Sequence, residues 1–322
     1  MMQFDRATLG REAKELGFVR DTFEKVCRLA EVLAYFENDP LLSDTLALKG
    51  GTAINLTIFD LPRLSVDIDL DFSKNVSREE MIDQRTQIDA RIRKYMTAAG
   101  YTLGSKSKSY HALESYVYEY INAGGVKDNL KIEINYMLRC HVFPISRRMA
   151  NLPWQQEPLT VLSVDPVEVF AAKTVALINR AAARDLYDMY NLQKLDLLEE
   201  DELSKFRKTI VFYEAIASEK VPEHIGFDGI ESLDGRRIKT ELLPVLQKSE
   251  QFELELAKKR VREFLEDILL PENVSELEFW KAFAQGEYKP ELVFDDQEII
   301  KSIAEHPMAA WKCEKNRQKR DK

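Results

Sequence analysis

The chain has 322 residues, a net charge of −9 and ordinary apolar and charged fractions. That is enough for one large domain or two modest ones, without the overall basicity of a general nucleic-acid binder. Three cysteines (Cys27, Cys140, Cys313) and four histidines (His111, His141, His224, His306) are scattered, so neither a disulfide framework nor a zinc knuckle follows from them, and a reducing compartment is expected. The first twenty residues lack a signal-peptide core, and no apolar run approaches the length of a membrane span, so a soluble, cytoplasmic protein is expected.

In chain order, residues 5–37 read as helical. Asp21 and Glu24 are placed for a capping box, and Phe23, Val26, Cys27, Leu29, Ala30, Leu33 and Ala34 form an apolar stripe. A short strand, Leu46–Leu48, stops at Gly50-Gly51. A small helix (Thr52–Phe59), a turn through Asp60, Leu61 and Pro62, and a strand from Ser65 to Phe72 follow. In that strand Val66, Ile68, Leu70 and Phe72 share one face, and Asp67, Asp69 and Asp71 the other. Ser77 and Glu80 are placed to cap a helix running to Ala99 and ended by Gly100.

Strands are predicted near 101–109 and 114–121, with a turn at Gly124-Gly125. Leu130–Leu138 alternates again, with Lys131, Glu133 and Asn135 on its polar face. A loop with Pro153 and Pro158 leads to a short strand, Leu159–Leu162, and beyond it the sequence is almost wholly helical. Asp165, Pro166 and Glu168 suit the N-cap, N1 and N3 positions of a helix start, and the domain boundary is placed there. Further helices are predicted near 201–219, 237–248, 251–269 and 275–285, the last opened by Ser275 and Glu278, with Phe279, Trp280 and Phe283 as core. The tail (Lys312, Lys315, Arg317, Lys319, Arg320, Lys322) has the composition of a disordered, solvated end, or of a weak attractor for an RNA backbone.

Chemistry concentrates in two places. On the strand 65–72, acids two residues apart lie about 6.5 Å from each other and repel by roughly 2.5 kcal/mol per adjacent pair at an effective dielectric near 20. A divalent cation turns that repulsion into ligation, and hard carboxylate oxygens suit magnesium. The Gly50-Gly51 turn before a helix lets backbone N–H groups approach a phosphate. Such a combination is what phosphoryl or nucleotidyl transfer requires; the alternative is a solvated acidic strand edge. The second place is Lys173, the lone charge between Glu168 and Arg180, followed by Arg184, Asp185 and Asp188. It is either an ammonium kept for a phosphate or a lysine snorkelling to water, beside an ordinary Arg184–Asp188 helical ion pair.

Gly50-Gly51-Thr52, Arg63, Ser65 and Asp67-Ile68-Asp69-Leu70 resemble the first motif of the AbiEii/MenT nucleotidyltransferase toxins, a branch of the polymerase-β-like superfamily. Lys173 in an Ala-rich helix and Arg184-Asp185-x-x-Asp188 are similar to that family's later motifs, so the likeness spans roughly residues 45–195 in three blocks. It implies an α+β protein: a polymerase-β-like domain (1–164), with a short mixed sheet flanked by helices, then a helical domain (165–322) that completes the active site. It implies a magnesium-dependent enzyme that moves a nucleoside monophosphate from an NTP to an RNA acceptor, with a tRNA 3′ end the first expectation. Such an enzyme serves as the toxin of a toxin–antitoxin or abortive-infection system, whose antitoxin need not bind it directly. Under this likeness Asp67 and Asp69 hold magnesium. Gly50, Gly51, Thr52, Ser65 and Arg184 contact nucleotide, Lys173 neutralises phosphate charge, and Asp185 or Asp188 orients Lys173 or activates the acceptor. Glu133 is the candidate third carboxylate, as ligand or base, against a solvated pair with Lys131. A phosphate on Ser65 would add charge beside the acids. Rival readings are transfer to a protein or small molecule, a glycosyltransferase with its Asp-x-Asp, and a catalytically silent nucleotide- or RNA-binding module.

Overall fold

A computed structural model describes residues 4–320. The chain forms two compact units. The first takes the residues up to Arg139 with Ile145–Val164 and Pro244–Glu250; the second takes Cys140–Pro144, Asp165–Leu243 and the chain from Gln251 onward. Two short segments, 140–144 and 244–250, therefore belong to a different unit from their sequence neighbours.

The first unit contains helices α1 (Arg6–Glu15), α2 (Arg20–Asn38), α3 (Pro40–Thr45), α4 (Gly50–Thr57) and α5 (Arg78–Ala98). Its strands are β1 (Leu46–Leu48), β2 (Asp67–Phe72), β3 (Thr102–Leu103), β4 (Lys108–Ser109), β5 (Leu113–Ile121), β6 (Lys127–Asn135), β7 (Ser146–Ala150) and β8 (Leu159–Ser163). They make one sheet in the order β3-β5-β6-β2-β1-β8-β7, with β4 also on β5. β2 runs parallel to β6 and β1 to β8, while the other pairings are antiparallel. A mixed sheet flanked by helices, followed by a helical region, is the α+β class that the sequence led us to expect.

Hydrophobic alternation fixes β2 in its register. Ile68, Leu70 and Phe72 are buried in a core shared with Leu29, Leu33 and Phe36 of α2, Ile88, Ile92 and Met96 of α5, and Ile132 and Ile134 of β6. Full burial of each such side chain contributes about 1.5–3 kcal/mol. A one-residue slip would exchange that face for three aspartates. The acids therefore point away from this core because the alternate positions cannot leave it.

Several predicted elements differ in detail. The single early helix is interrupted at residues 16–19, where Gly17 adopts φ +77° and its carbonyl accepts from Lys248 N–H at 2.8 Å. Asp21 and Glu24 form no capping box, since α2 begins at Arg20 without a side-chain cap. Glu24 is instead buried, accepting from Ala123 N–H (2.9 Å) and from Arg28 (2.8 Å). β6 stops at Asn135, whose Oδ1 accepts from the backbone N–H of Met137 (2.8 Å) and Leu138 (3.0 Å), turning the chain there. β7 has no alternating pattern in Ser146–Ala150; it forms by pairing with β8.

The second unit is helical: α6 (Pro166–Arg180), α7 (Ala183–Lys194), α8 (Glu200–Ala217), α9 (Asp228–Glu231), α10 (Gly235–Arg237), α11 (Leu254–Leu269), α12 (Val274–Ala284), α13 (Gln297–Ile303) and α14 (Pro307–Arg320). Asp165 caps α6 by accepting from Val167 N–H at 2.9 Å. Glu168 is buried and binds the 140–144 segment, with Oε1 3.1 Å from His141 Nδ1 and Oε2 accepting from Phe143 N–H at 3.0 Å. The predicted helix at 237–248 is a π-turn and a 3-10 turn ending at Val245, after which the chain bridges from Leu246 to Arg63.

The reciprocal box of α12 is Asn273 with Glu276 rather than Ser275 with Glu278, and Glu276 also holds Arg207 at 2.7 Å. Phe279, Trp280 and Phe283 are core, as expected. The basic tail contradicts the disordered reading through residue 320. It is α14, with Lys312 buried and donating to the Ser218 carbonyl, and Arg317 donating to the Gly286 carbonyl at 2.8 Å. Burial pushes the Lys312 amine down to about 8, against the opposing pull of Glu214. Lys322 lies outside the described residues. Among the described residues no helix is long and apolar enough to cross a membrane.

Candidate active site

The acid face of the first unit is organised by strand register. β1 pairs with β2 so that Leu48 lies opposite Leu70, and β6 lies parallel on the other side with Asp67 beside Lys131, Asp69 beside Glu133 and Asp71 beside Asn135. Side by side in register, these residues project from the same face. Asp67 and Asp69 are half-buried. Asp71 is only 4% exposed and forms an ion pair with Lys49, which separates it from the other two acids. Sequence reasoning missed Lys49. Its signal was a cation directly before Gly50, one residue beyond a strand that pairs with the acid strand.

Glu133 lies where a third carboxylate was expected, next to Asp69, and also forms the expected pair with Lys131, Nζ to Oε2 at 2.8 Å. Burial disfavours the Lys131 ammonium. The Glu133 hydrogen bond and the charges of Glu133, Asp67 and Asp69 outweigh it and raise the amine above its ordinary range.

The glycines before α4 are required by two different contacts. Gly50 has φ +64°, a conformation that costs an L-residue about 1–2 kcal/mol. A Cβ there would also meet Asp69 Oδ2 at 2.7 Å. A Cβ on Gly51 would meet the buried Arg63 guanidinium at 2.9 Å and Ser65 Oγ at 3.1 Å. The main chain of the Gly-Gly turn thus lies against the acid strand because neither residue has a side chain. α4 opens here, and N–H groups in a first helical turn have no carbonyl of their own helix to bond.

Thr52 is buried, and its hydroxyl donates to the Asp67 carbonyl and hydrogen-bonds with Ser65 Oγ at 2.9 Å. A hydroxyl has one proton, and that of Thr52 closes the 52–67 loop, which leaves its backbone N–H for any phosphate. Ser65 is corrected in position. It precedes β2 rather than sharing its face, and is 7% exposed.

In the second unit Lys173 does not snorkel. It is 8% exposed, with Nζ 2.8 Å from Asp185 Oδ1 and 3.1 Å from Asp188 Oδ2. The two aspartates are one turn apart on α7, as i, i+3 spacing dictates, and both are buried. Asp185 also accepts from Arg180, Nη2 to Oδ2 at 3.2 Å. Ala181, with φ +51°, ends α6, so Arg180 and Asp185 meet across the helix junction. Arg184 is half-buried at the start of α7, and its charge helps hold the Glu241 carboxyl low. Burial pushes that carboxyl up, but the Arg237 hydrogen bond, the Ala183 N–H and the charges of Arg237 and Arg184 prevail.

The predicted residues thus fall into two sets. Gly50, Gly51, Thr52, Ser65, Asp67, Asp69 and Glu133 gather at one end of β2 in the first unit. Lys173, Asp185 and Asp188 gather between α6 and α7 in the second, with Arg184 on the same α7 turn. Among the described residues no group of three or more His, Cys, Asp or Glu could hold a metal alone. Two hard carboxylates on one face do fit a cation that completes its shell with water and substrate phosphate, as magnesium does.

An acid-bearing strand led by a Gly-Gly helix start, on a mixed sheet, suits a nucleotidyltransferase, and comparison with known proteins shows that class. The family model for "Nucleotidyl transferase AbiEii toxin, Type IV TA system" matches residues 32–285. The chain belongs to the AbiEii nucleotidyltransferase toxin family. No curated protein sequence matches it. In fold it is similar to the solved structure of MenT4, nucleotidyltransferase toxin Rv2826c from Mycobacterium tuberculosis H37Rv, with a TM-score of 0.63 at 15% identity over 94% of this chain and 99% of that one.

Proposed function

We propose that this toxin is a magnesium-dependent enzyme that moves a nucleoside monophosphate from an NTP onto the 3′ end of an RNA, with tRNA as the acceptor. The observation that carries the reading is the approach of the Gly50 backbone to Asp69, which brings a helix start and a carboxylate pair to one point of the sheet. Asp67 and Asp69 would hold the cation, which when bound supplies Lewis-acid charge on the phosphates. The backbone at Gly50, Gly51 and Thr52 binds phosphate oxygens. Ser65 supports the loop through its hydrogen bond with Thr52.

In the transfer the acceptor hydroxyl oxygen bonds to the α-phosphorus. The bond from that phosphorus to the pyrophosphate oxygen breaks, and the hydroxyl proton passes to a carboxylate of the acid face. Lys173 offsets negative charge developing on the phosphates, held in place by Asp185 and Asp188, while Arg184 adds positive charge near the nucleotide. Family membership supports an antitoxin partner acting in the same cell. Blocking tRNA 3′ ends would stop translation.

The test is incubation of the full chain with total tRNA, magnesium and each α-labelled NTP in turn. Label should appear on RNA with one or more nucleotides and vanish with Asp69→Ala or with EDTA. Label on protein, or toxicity in cells unchanged by Asp69→Ala, would instead support transfer to another acceptor or a silent binding module.

A further inference from the structure

Strand pairing carries the row of Asp69 across the sheet. Asp69 lies beside Glu133 of β6, Glu133 beside Ser115 of β5, and Ser115 beside Lys108 of β4. Residues paired side by side project from one face, so Lys108 stands on the face of Asp69, three strands over and about 14 Å away. Ser109, the next residue, takes the other face, where its Oγ donates to Glu114 Oε1 at 2.7 Å beside Arg85 of α5.

Residues 105–111 read Ser-Lys-Ser-Lys-Ser-Tyr-His, and Lys106, Lys108 and Tyr110 are exposed. Neither lysine has an ion-pair partner among the described residues. Tyr110 is 53% exposed, yet its main chain is pinned. Its N–H donates to the Leu113 carbonyl at 2.8 Å, and its carbonyl accepts from Arg85 Nη2 at 2.7 Å. Arg85 Nη1 also donates to the His111 carbonyl at 2.8 Å. A clamped turn thus presents an aromatic ring to water two residues from Lys108.

We propose that this β4–β5 hairpin, through Lys106, Lys108 and Tyr110, receives the single-stranded 3′ segment of the acceptor RNA. The lysines meet its phosphates and the tyrosine ring stacks on a base. The inference rests on the RNA-acceptor reading above and deepens it by naming the contacts. A chain of net charge −9 repels RNA overall, so the acceptor needs a local cationic foothold. Lysines on an edge strand also guard against aggregation, but that role has no use for an exposed tyrosine. Cations interleaved with an aromatic ring are how proteins hold single strands.

Fluorescence anisotropy of a short single-stranded RNA with a free 3′ hydroxyl, titrated with the full chain without NTP or metal, tests this apart from turnover. Wild type should bind with an affinity that falls as salt rises. Lys106→Ser/Lys108→Ser should weaken binding about tenfold and flatten the slope of log affinity against log salt by roughly 1.4, the loss of two phosphate contacts. Tyr110→Ala should weaken binding about tenfold with that slope unchanged, and Tyr110→Phe should bind like wild type. A blunt RNA duplex should bind Tyr110→Ala and wild type equally. If the lysine variant, with a wild-type thermal melt, kept wild-type affinity and slope, or if Tyr110→Ala bound as tightly as wild type, the hairpin would be ordinary solvated surface and this inference alone would fall. Wild type that bound no RNA at any salt would overturn the RNA-acceptor reading along with it.

Discussion

The two charged clusters of this protein solve opposite problems. In the second unit Lys173, Asp185 and Asp188 are buried and satisfy one another, with Arg180 closing the outer side of Asp185. On β2, Asp67 and Asp69 are half-buried on a face that also carries Lys131 and Glu133 of β6. Charges taken out of water must be paired, or the fold loses several kcal/mol. Charges at a partly wet face keep part of their hydration and carry a smaller penalty. On the proposed reading, the lysine cluster therefore carries stability together with function, whereas the aspartate face carries function alone.

The variants that separate these roles follow in order of effect. Asp69→Ala should lower nucleotidyl transfer by about a thousandfold or more, yet leave unfolding free energy within about 1 kcal/mol of wild type, read by urea titration. Lys173→Met should lose transfer to a similar degree and, unlike Asp69→Ala, cost about 3 kcal/mol of stability, because two buried carboxylates lose their shared ammonium. Adding Asp185→Asn to Lys173→Met should restore part of that stability and none of the transfer. Were Lys173→Met as stable as wild type, the contrast between the clusters would be wrong.

Gly50→Ala comes next. It should destabilise by about 2 kcal/mol through its left-handed backbone and the contact with Asp69, and it should also weaken transfer. Its loss of transfer should exceed that of Lys49→Met, which disturbs only the Asp71 pair.

The smallest effect is one of pH and lies in α14. Burial depresses the Lys312 amine from 10.5 to about 8, so between those values the unfolded chain binds the extra proton. Stability contributed by this group is therefore lowest below pH 8 and recovers as pH rises toward 10.5. Thermal melts of wild type and Lys312→Met should show wild type gaining on the variant across that window, with no such trend below it.

Much of this was legible in the chain. Period-two alternation gave β2 its acid face, and the Gly-Gly pair marked the start of α4 within two residues. The i, i+3 spacing of Asp185 and Asp188 put them on one side of α7. What could not be read was where long-range partners would come from. Glu24 had the spacing of a capping residue and became a tertiary anchor for Ala123. Thr52 had the chemistry of a phosphate ligand, but its hydroxyl is committed to the Asp67 carbonyl. The tail had the composition of a solvated end, and only packing that buries Lys312 made it an ordered helix. In each case local pattern offered two partners, and contacts distant in sequence chose between them.

The central proposal is that nucleotidyl transfer depends on both the aspartates of β2 and the lysine of α6. Its most direct test is the residual single-turnover rate of label transfer for Asp69→Asn, Lys173→Met and the two combined. Groups that act as a unit are non-additive, so the double variant should be about as slow as the worse single one. Independent, multiplying losses, or undiminished transfer in either single variant, would contradict it.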